Sequence, residues 1–293
     1  MIHLLWFLLL IFSPAHAFVR SLSAGFTRVS SDSEFQDSEK RSLLEFRPNV
    51  ATGRFIGLET KHLALGYVFA GKLSEEEAAE GESRFQDYRF NFHLHHFDFR
   101  LSVQSYAGAL VDNGGKKFFY QDYKVGSINT RFHYYTNPRH LDLIRPGNAL
   151  AKHVSKNSGF RASGSWIFGL NIDDRKLHLP ETLQTEHQAI LTARGISYDS
   201  RFEATSWGPL VGYDGILELS RFFFRLKLAL GAAFQGESAT TDQSEVGVMI
   251  GYAFASHHLI TLGTETFAVS FKDEKKYINN TNTQSNVQYT YAF

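Results

Sequence analysis

Between residues 84 and 105 the chain reads RFQDYRFNFHLHHFDFRLSVQS, with large apolar side chains at every second position on both sides of a His95-His96 break. Tyr88, Phe90, Phe92 and Leu94 oppose Asp87, Arg89, Asn91 and His93. Phe97, Phe99, Leu101 and Val103 oppose Asp98, Arg100, Ser102 and Gln104. A period of two is the mark of a strand whose two faces meet different surroundings. The same period returns at 62–69, 128–134, 160–168, 211–219, 224–234, 246–254 and 286–293, with a less regular stretch ending in Phe267, Val269 and Phe271. Such recurrence predicts an all-β fold.

The junctions separate a barrel from a sandwich. Short ones sit at His95-His96, near Ser220-Arg221 and at Ser256-His257, and they take turns with long polar ones over 71–83, 106–122, 171–204, 235–243 and 272–283. Transmembrane barrels have this asymmetry, with tight turns at one end and longer loops at the other. If the last strand runs inward, every long junction falls outside and every short one at the periplasmic end. The stretch 136–157 is the exception: it belongs to the short end, so it hides a further hairpin, folds into the barrel mouth or forms a small plug. Weaker strands near 42–47 and 53–59 bring the total to about twelve, the even number that bacterial barrels prefer. The expectation is a transmembrane antiparallel up-and-down β-barrel over residues 41–293.

In that fold the rings face acyl chains and the polar positions face the lumen. The lumen-lining candidates are Arg89, His93, Asp98, Arg100, Arg131, His133, Arg161, Ser163, Ser165, Asp214, Glu218, Arg225, Lys227 and Glu245. Tyr289, Tyr291 and Phe293 alternate up to the final residue. They look like the terminal signal by which outer-membrane barrels are recognised for insertion, which makes the barrel-assembly machinery and outer-membrane lipids the expected partners.

Composition agrees with this. Phe numbers 27 of 293 residues and aromatics make up 15%, yet the mean hydropathy is −0.23. Apolar mass in a polar chain fits alternation better than long apolar runs. Thirty basic and thirty acidic residues cancel, and no nucleic-acid partner is expected. With no cysteine, disulfides and thiolate metal sites are excluded. Residues 1–17, MIHLLWFLLLIFSPAHA, carry a nine-residue apolar core from Leu4 to Phe12 and a small-x-small Ala15-His16-Ala17 end. They read as a cleaved signal peptide, which sends the chain to the bacterial outer membrane. Residues 18–40, rich in Ser and charge, read as a flexible lead-in.

Candidate chemistry is sparse. In HLHH, 93–96, a strand would put His93 and His95 on one face and His96 on the other, so no zinc site is read there, and no cofactor is expected. The inward cations and carboxylates suit cross-strand pairing across the lumen, or a charged lining with ion preference. FRASGSW, 160–166, sets Arg161, Ser163 and Ser165 on one face, but spacing pairs neither serine with a histidine as nucleophilic catalysis requires.

Four stretches resemble one family: RPNVATGRFIGLETKHLALGYVF (47–69), FDFRLSVQSYAG (97–108), SGFRASGSWIFG (158–169) and GPLVGYDG (208–215). They are similar to bacterial proteins grouped as domain of unknown function 4421, over about residues 45–293. The resemblance implies an outer-membrane barrel and carries no activity. The leading expectation is a non-enzymatic barrel, either a narrow diffusion channel for small solutes or ions or a structural membrane component. The alternatives are a lipid-modifying enzyme, and a receptor or adhesin built on the outer loops. The helix-like stretch PETLQTEHQAILTA within 171–204 keeps the last of these in view.

Overall fold

The computed structural model describes residues 19–37, 39, 41–113, 116–145, 159–181, 183–194, 201–236, 239–255, 257–273 and 276–293. The leader expected at 1–17 lies outside them. Among the described residues thirteen strands follow one another: β1 (Val19–Gln36), β2 (Ser42–Phe46), β3 (Gly53–Thr60), β4 (Leu63–Phe69), β5 (Arg84–Leu94), β6 (Phe97–Asn113), β7 (Lys116–Tyr135), β8 (Phe160–His178), β9 (Arg201–Leu219), β10 (Phe222–Gln235), β11 (Ala239–Ala255), β12 (His258–Asp273) and β13 (Lys276–Ala292). Every pairing is antiparallel, and β13 returns to β1 from Ser21–Ala292 to Gln36–Tyr277, which closes the ring. Closure leaves no open edge of backbone amides, which hydrocarbon could not satisfy.

The ring has two widths. At the end that holds Val19 and Phe293, β1 pairs with β3, and β1, β3, β4 and the strands through β13 make twelve staves. At the other end β1 pairs with β2 instead, and Arg47, just past β2, exchanges both backbone hydrogen bonds with Leu110 of β6. There β3, β4 and β5 have already ended, so β1, β2 and β6 through β13 make ten staves. The step falls at Gly108 of β6, between the last β5 partner at Ala107 and the bridge at Leu110. Gly108 has φ of +89° and the ring of Phe119 lies 2.6 Å from where a Cβ would stand. Only glycine takes that bulge without strain.

The expected flexible lead-in at 18–40 is corrected: Val19–Gln36 form β1, the strand against which the barrel closes. Its inward Val29, Phe35 and small Ser residues pack into the lumen, a tertiary gain that Ser-rich composition conceals. The two weak strands of the sequence reading are β2 and β3, which share one stave end to end. The stave count at the wide end therefore stays at twelve.

The long junctions are corrected as well. Much of 106–122, 171–204, 235–243 and 272–283 is strand. β8 and β9 are each 19 residues long, against about 9–11 needed to cross a membrane. The outer face divides accordingly. Near the short-turn end it carries Trp166, Tyr213, Leu217, Phe222, Ile250 and Tyr289, all exposed. Further along it carries Lys176 and Glu203, paired at 3.5 Å, and Asp174 with Thr205 at 2.9 Å. The polar half of the wall stands clear of the apolar belt. In the short turns, His95 and Ser220 hold positive φ, as the primed two-residue turns require.

Among the described residues three helices join the strands: α1 (Glu75–Ala79), α2 (Pro138–Ile144) and α3 (Thr185–Ala193). Ser74 and Glu77 form a capping box at α1. Asn137 caps α2 through the His140 amide, with Pro138 in the first turn.

Candidate functional site

The lumen is filled at both ends. In the ten-stave half, Phe35, Phe46, Phe85, Tyr106, Tyr123, Phe202, Phe267 and Phe271 pack into one core, with Leu183 and Leu191 beside and on α3 covering it. Phe46 stacks on Tyr123 at 5.1 Å with planes 5° apart, and the Tyr123 hydroxyl crosses to Ser33 on β1 at 3.0 Å. At the short-turn end α2 folds into the barrel mouth. Leu141 packs with Tyr135, Ile167 and Leu210, and Leu143 lies against Ile216, Phe223 and Leu259. Arg145 then ties the end of α2 to the wall, with Nε 3.0 Å from Glu59 Oε1 and Nη2 2.9 Å from the Thr60 carbonyl. Of the three readings open for 136–157, a mouth-filling segment is what residues 138–144 form. Residues 146–158 lie outside the described part.

Between these ends is a charged layer. Arg89 chelates Asp87 on its own strand. Asp98 is fully buried and meets His93 Nδ1 at 2.6 Å and Arg100 Nε at 2.6 Å. Arg100 reaches Glu265 on β12 at 3.1 Å, and Arg131 reaches Glu245 on β11 at 2.8 Å. Lys227 bonds Glu245, and His133 Nε2 lies 3.4 Å from the other Glu245 oxygen. Arg225 grips Asp214 through two hydrogen bonds of 2.9 and 2.6 Å. Six cations, Arg89, Arg100, Arg131, Arg145, Arg225 and Lys227, face six carboxylates, Glu59, Asp87, Asp98, Asp214, Glu245 and Glu265. Buried charges persist only when paired in this way.

Beside this layer, on the flank made by the short strands, lies a cavity of about 280 Å³. Leu141, Ile144 and Arg145 form its floor, Val29 and Phe267 its roof, and the inner faces of β1, β3, β4, β5, β6, β7 and β13 its walls. Phe55 lies over Gly57 and Gly66, which pair across β3 and β4; a Cβ on either would come within 2.8 Å of the ring. The two glycines make the bay that the ring fills.

Most candidates named from the sequence converge here: Arg89, His93, Asp98, Arg100, Arg131, His133, Asp214, Arg225, Lys227 and Glu245 all point inward into this charged layer. Arg161 and Glu218 oppose each other at the short-turn rim, where Arg161 is exposed and Glu218 buried. Ser165 receives the Asn137 amide at 3.0 Å and so anchors α2. Tyr289, Tyr291 and Phe293 lie on the outer face at the end of β13, with Tyr291 edge-on to Phe293 at 5.1 Å.

Sequence reasoning missed Glu59, Arg145, Glu265 and the inner face of β13 from Asn280 to Gln284. On β13 both faces are polar there, with Thr281 and Thr283 outside and Asn280, Asn282 and Gln284 inside, so no alternation shows. Glu265 stands two residues from Phe267 on the same inward face, which hides its parity.

One exclusion from spacing is overturned. Ser163 does meet a histidine: Oγ lies 3.1 Å from Nδ1 of His140 on α2, and His140 Nε2 lies 3.5 Å from Asp214 Oδ1. The partner comes from the folded-in helix, 23 residues away, so strand spacing could not find it. Among the described residues no group of three His, Asp or Glu side chains is arranged to hold a metal ion.

A closed antiparallel ring with an apolar outer belt, an ion-paired interior and a filled lumen defines a transmembrane β-barrel. The chain belongs to the family described as Domain of unknown function (DUF4421), whose model matches residues 22–293. Among solved structures it is similar to the outer membrane protease OmpT from Escherichia coli, at 8% identity and a TM-score of 0.36, over 94% of this chain and 98% of that one. It is likewise similar to the COG4313 outer membrane channel from Pseudomonas putida F1, at 11% identity and a TM-score of 0.38, over 94% and 96%. Neisserial surface protein A is a third, at 9% and 0.29, over 94% and 97%. No curated protein matches the chain.

Proposed function

We propose that this protein is a non-conducting barrel of the bacterial outer membrane, a structural membrane component rather than an open pore. The observation behind this reading is the aromatic core that fills the ten-stave half of the lumen. Barrels of about eight strands are filled by side chains and those of sixteen carry water. Twelve staves stand between these limits, and the narrowing to ten favours filling. α2 folds into the opposite mouth and narrows it. The outward Tyr289, Tyr291 and Phe293 support insertion through the C-terminal strand by the assembly machinery, and the belt supports outer-membrane lipid as the surrounding medium.

Planar-bilayer recording from purified protein tests this directly. The expected trace has no unitary steps, and it stays silent when residues 138–144 are replaced by a Gly-Ser linker, because the outer core still blocks the path. Defined steps from the wild type would sink the reading.

The enzymatic alternative has one observation in its favour, the Ser163–His140–Asp214 contact. Against it, Asp214 is already chelated by Arg225, and none of the three lines the cavity. Released labelled acyl chains that disappear in Ser163→Ala would favour the enzyme.

A further inference from the structure

We infer that the cavity beside the ion-pair layer is a binding site for a small, neutral, polyhydroxylated solute of monosaccharide size, held chiefly by the amide face of β13. The inward positions of β13 at 280, 282, 284, 286 and 288 are Asn, Asn, Gln, Asn and Gln without interruption. Asn282, Gln284 and Gln288 line the cavity, and Asn91 and Gln104 line it from β5 and β6. The Asn282 Oδ1 atom is shielded and lacks a hydrogen-bond partner, as does that of Asn286 just below. A primary amide offers two donors and an acceptor side by side, the complement of a hydroxyl that both donates and accepts. Shielded amide oxygens left without donors cost free energy, which a ligand hydroxyl recovers.

Charge sets the ligand class. Each arginine at the cavity already has its carboxylate: Arg89 with Asp87, Arg100 with Asp98 and Glu265, Arg131 with Glu245, Arg145 with Glu59 and Arg225 with Asp214. An anion or cation would have to break one of these pairs and leave a buried charge behind. A neutral solute uses the amides of Asn282 and Gln284 and disturbs none of these pairs. At about 280 Å³ the space sits just under the roughly 300–1,000 Å³ of ligand pockets. The roof joins the aromatic core, so the solute reaches the site from the α2 side, where Arg145 meets Glu59.

Saturation-transfer NMR on the full chain in detergent micelles, with glucose, galactose and glucuronate as probes, tests the inference. At least one hexose is expected to bind saturably, and glucuronate no better. Asn282→Leu with Gln284→Leu, in protein that keeps its folded gel mobility, is expected to weaken hexose binding by about tenfold or more, the worth of one to two hydrogen bonds. The outer-face control Ser285→Ala should leave binding unchanged. If neither hexose binds the wild type, the cavity holds only water and the inference fails. It fails too if hexose binding survives the double substitution, or if glucuronate binds more tightly than both hexoses, since the arginines would then select the ligand. None of these outcomes depends on whether the barrel conducts.

Discussion

Arg100 of β6 and Glu265 of β12 are six staves apart in either direction around the wide ring, yet Nη1 and Oε1 lie 3.1 Å apart. Two side chains can span a full diameter only if the ring is flattened. The contact divides the lumen in two: a packed side toward β8, β9 and β10, and the cavity toward β3, β4 and β5. It also makes Arg100 a hub, since the same guanidinium serves the fully buried Asp98.

The two ends of that contact should therefore respond differently to mutation. Arg100→Met leaves the buried Asp98 without its permanent cation, with His93 still beside it, and is expected to cost about 3 kcal/mol or more. Glu265→Gln removes a carboxylate that the cavity partly hydrates, and should cost about 1 kcal/mol or less. Urea-dependent refolding into lipid vesicles measures both. Equal losses would contradict the hub role.

Phe46 anchors the short strand that completes the narrow ring. Phe46→Ala is expected to destabilise by about 3–5 kcal/mol and to release β2 from β6. Limited proteolysis should then cut within 37–52 in the variant and spare the wild type.

Leu228 lies on the belt between Leu226 and Leu230, exposed to acyl chains. Leu228→Arg is expected to cost about 2–4 kcal/mol if it lies near the bilayer midplane. Unchanged refolding in the same vesicle assay would show that this face does not meet lipid.

The cap on the outer end should respond to acid. His187 of α3 is buried, and its Nδ1 lies 2.7 Å from the Tyr120 hydroxyl. Tyr120 also receives the Gln184 amide at 3.2 Å, so the arrangement that satisfies all three groups has a neutral imidazole accepting the phenol proton. Burial pushes the imidazole below its ordinary value, with Glu186 opposing. The unfolded residue then takes up a proton at higher pH than the folded one. The stability this gives is complete above about pH 6.5 and is lost as pH falls toward the depressed value. Amides of 185–193 should exchange faster at about pH 5 than at about pH 7.5 after correction for intrinsic rates, and His187→Gln should remove the difference. Equal protection at both pH values would refute this.

Alternation alone determined much of this protein. A period of two assigns each residue to a face without reference to any partner, so Tyr88 through Leu94 and Phe224 through Leu230 were legible as outer wall, and Arg89, Asp98 and Lys227 as inner. The alternating short and long junctions gave the order of the strands. β1 escaped notice because its inward face is largely small and polar, and becomes a core face only when β13 and β2 close on it. The lengths of β8 and β9 escaped too, because strand protruding into water needs no apolar side and reads as loop.

Tertiary structure alone decided the contents of the lumen. Parity says that a side chain points inward and says nothing of what it meets there. The contacts Arg100–Glu265, Ser163–His140 and Arg145–Glu59 join residues far apart in the chain, and they exist because the ring is flattened and α2 turns back into it. The change from twelve staves to ten depends on one backbone bridge, Arg47 to Leu110. Backbone amides carry no sequence of their own, so only the folded chain could bring those two together.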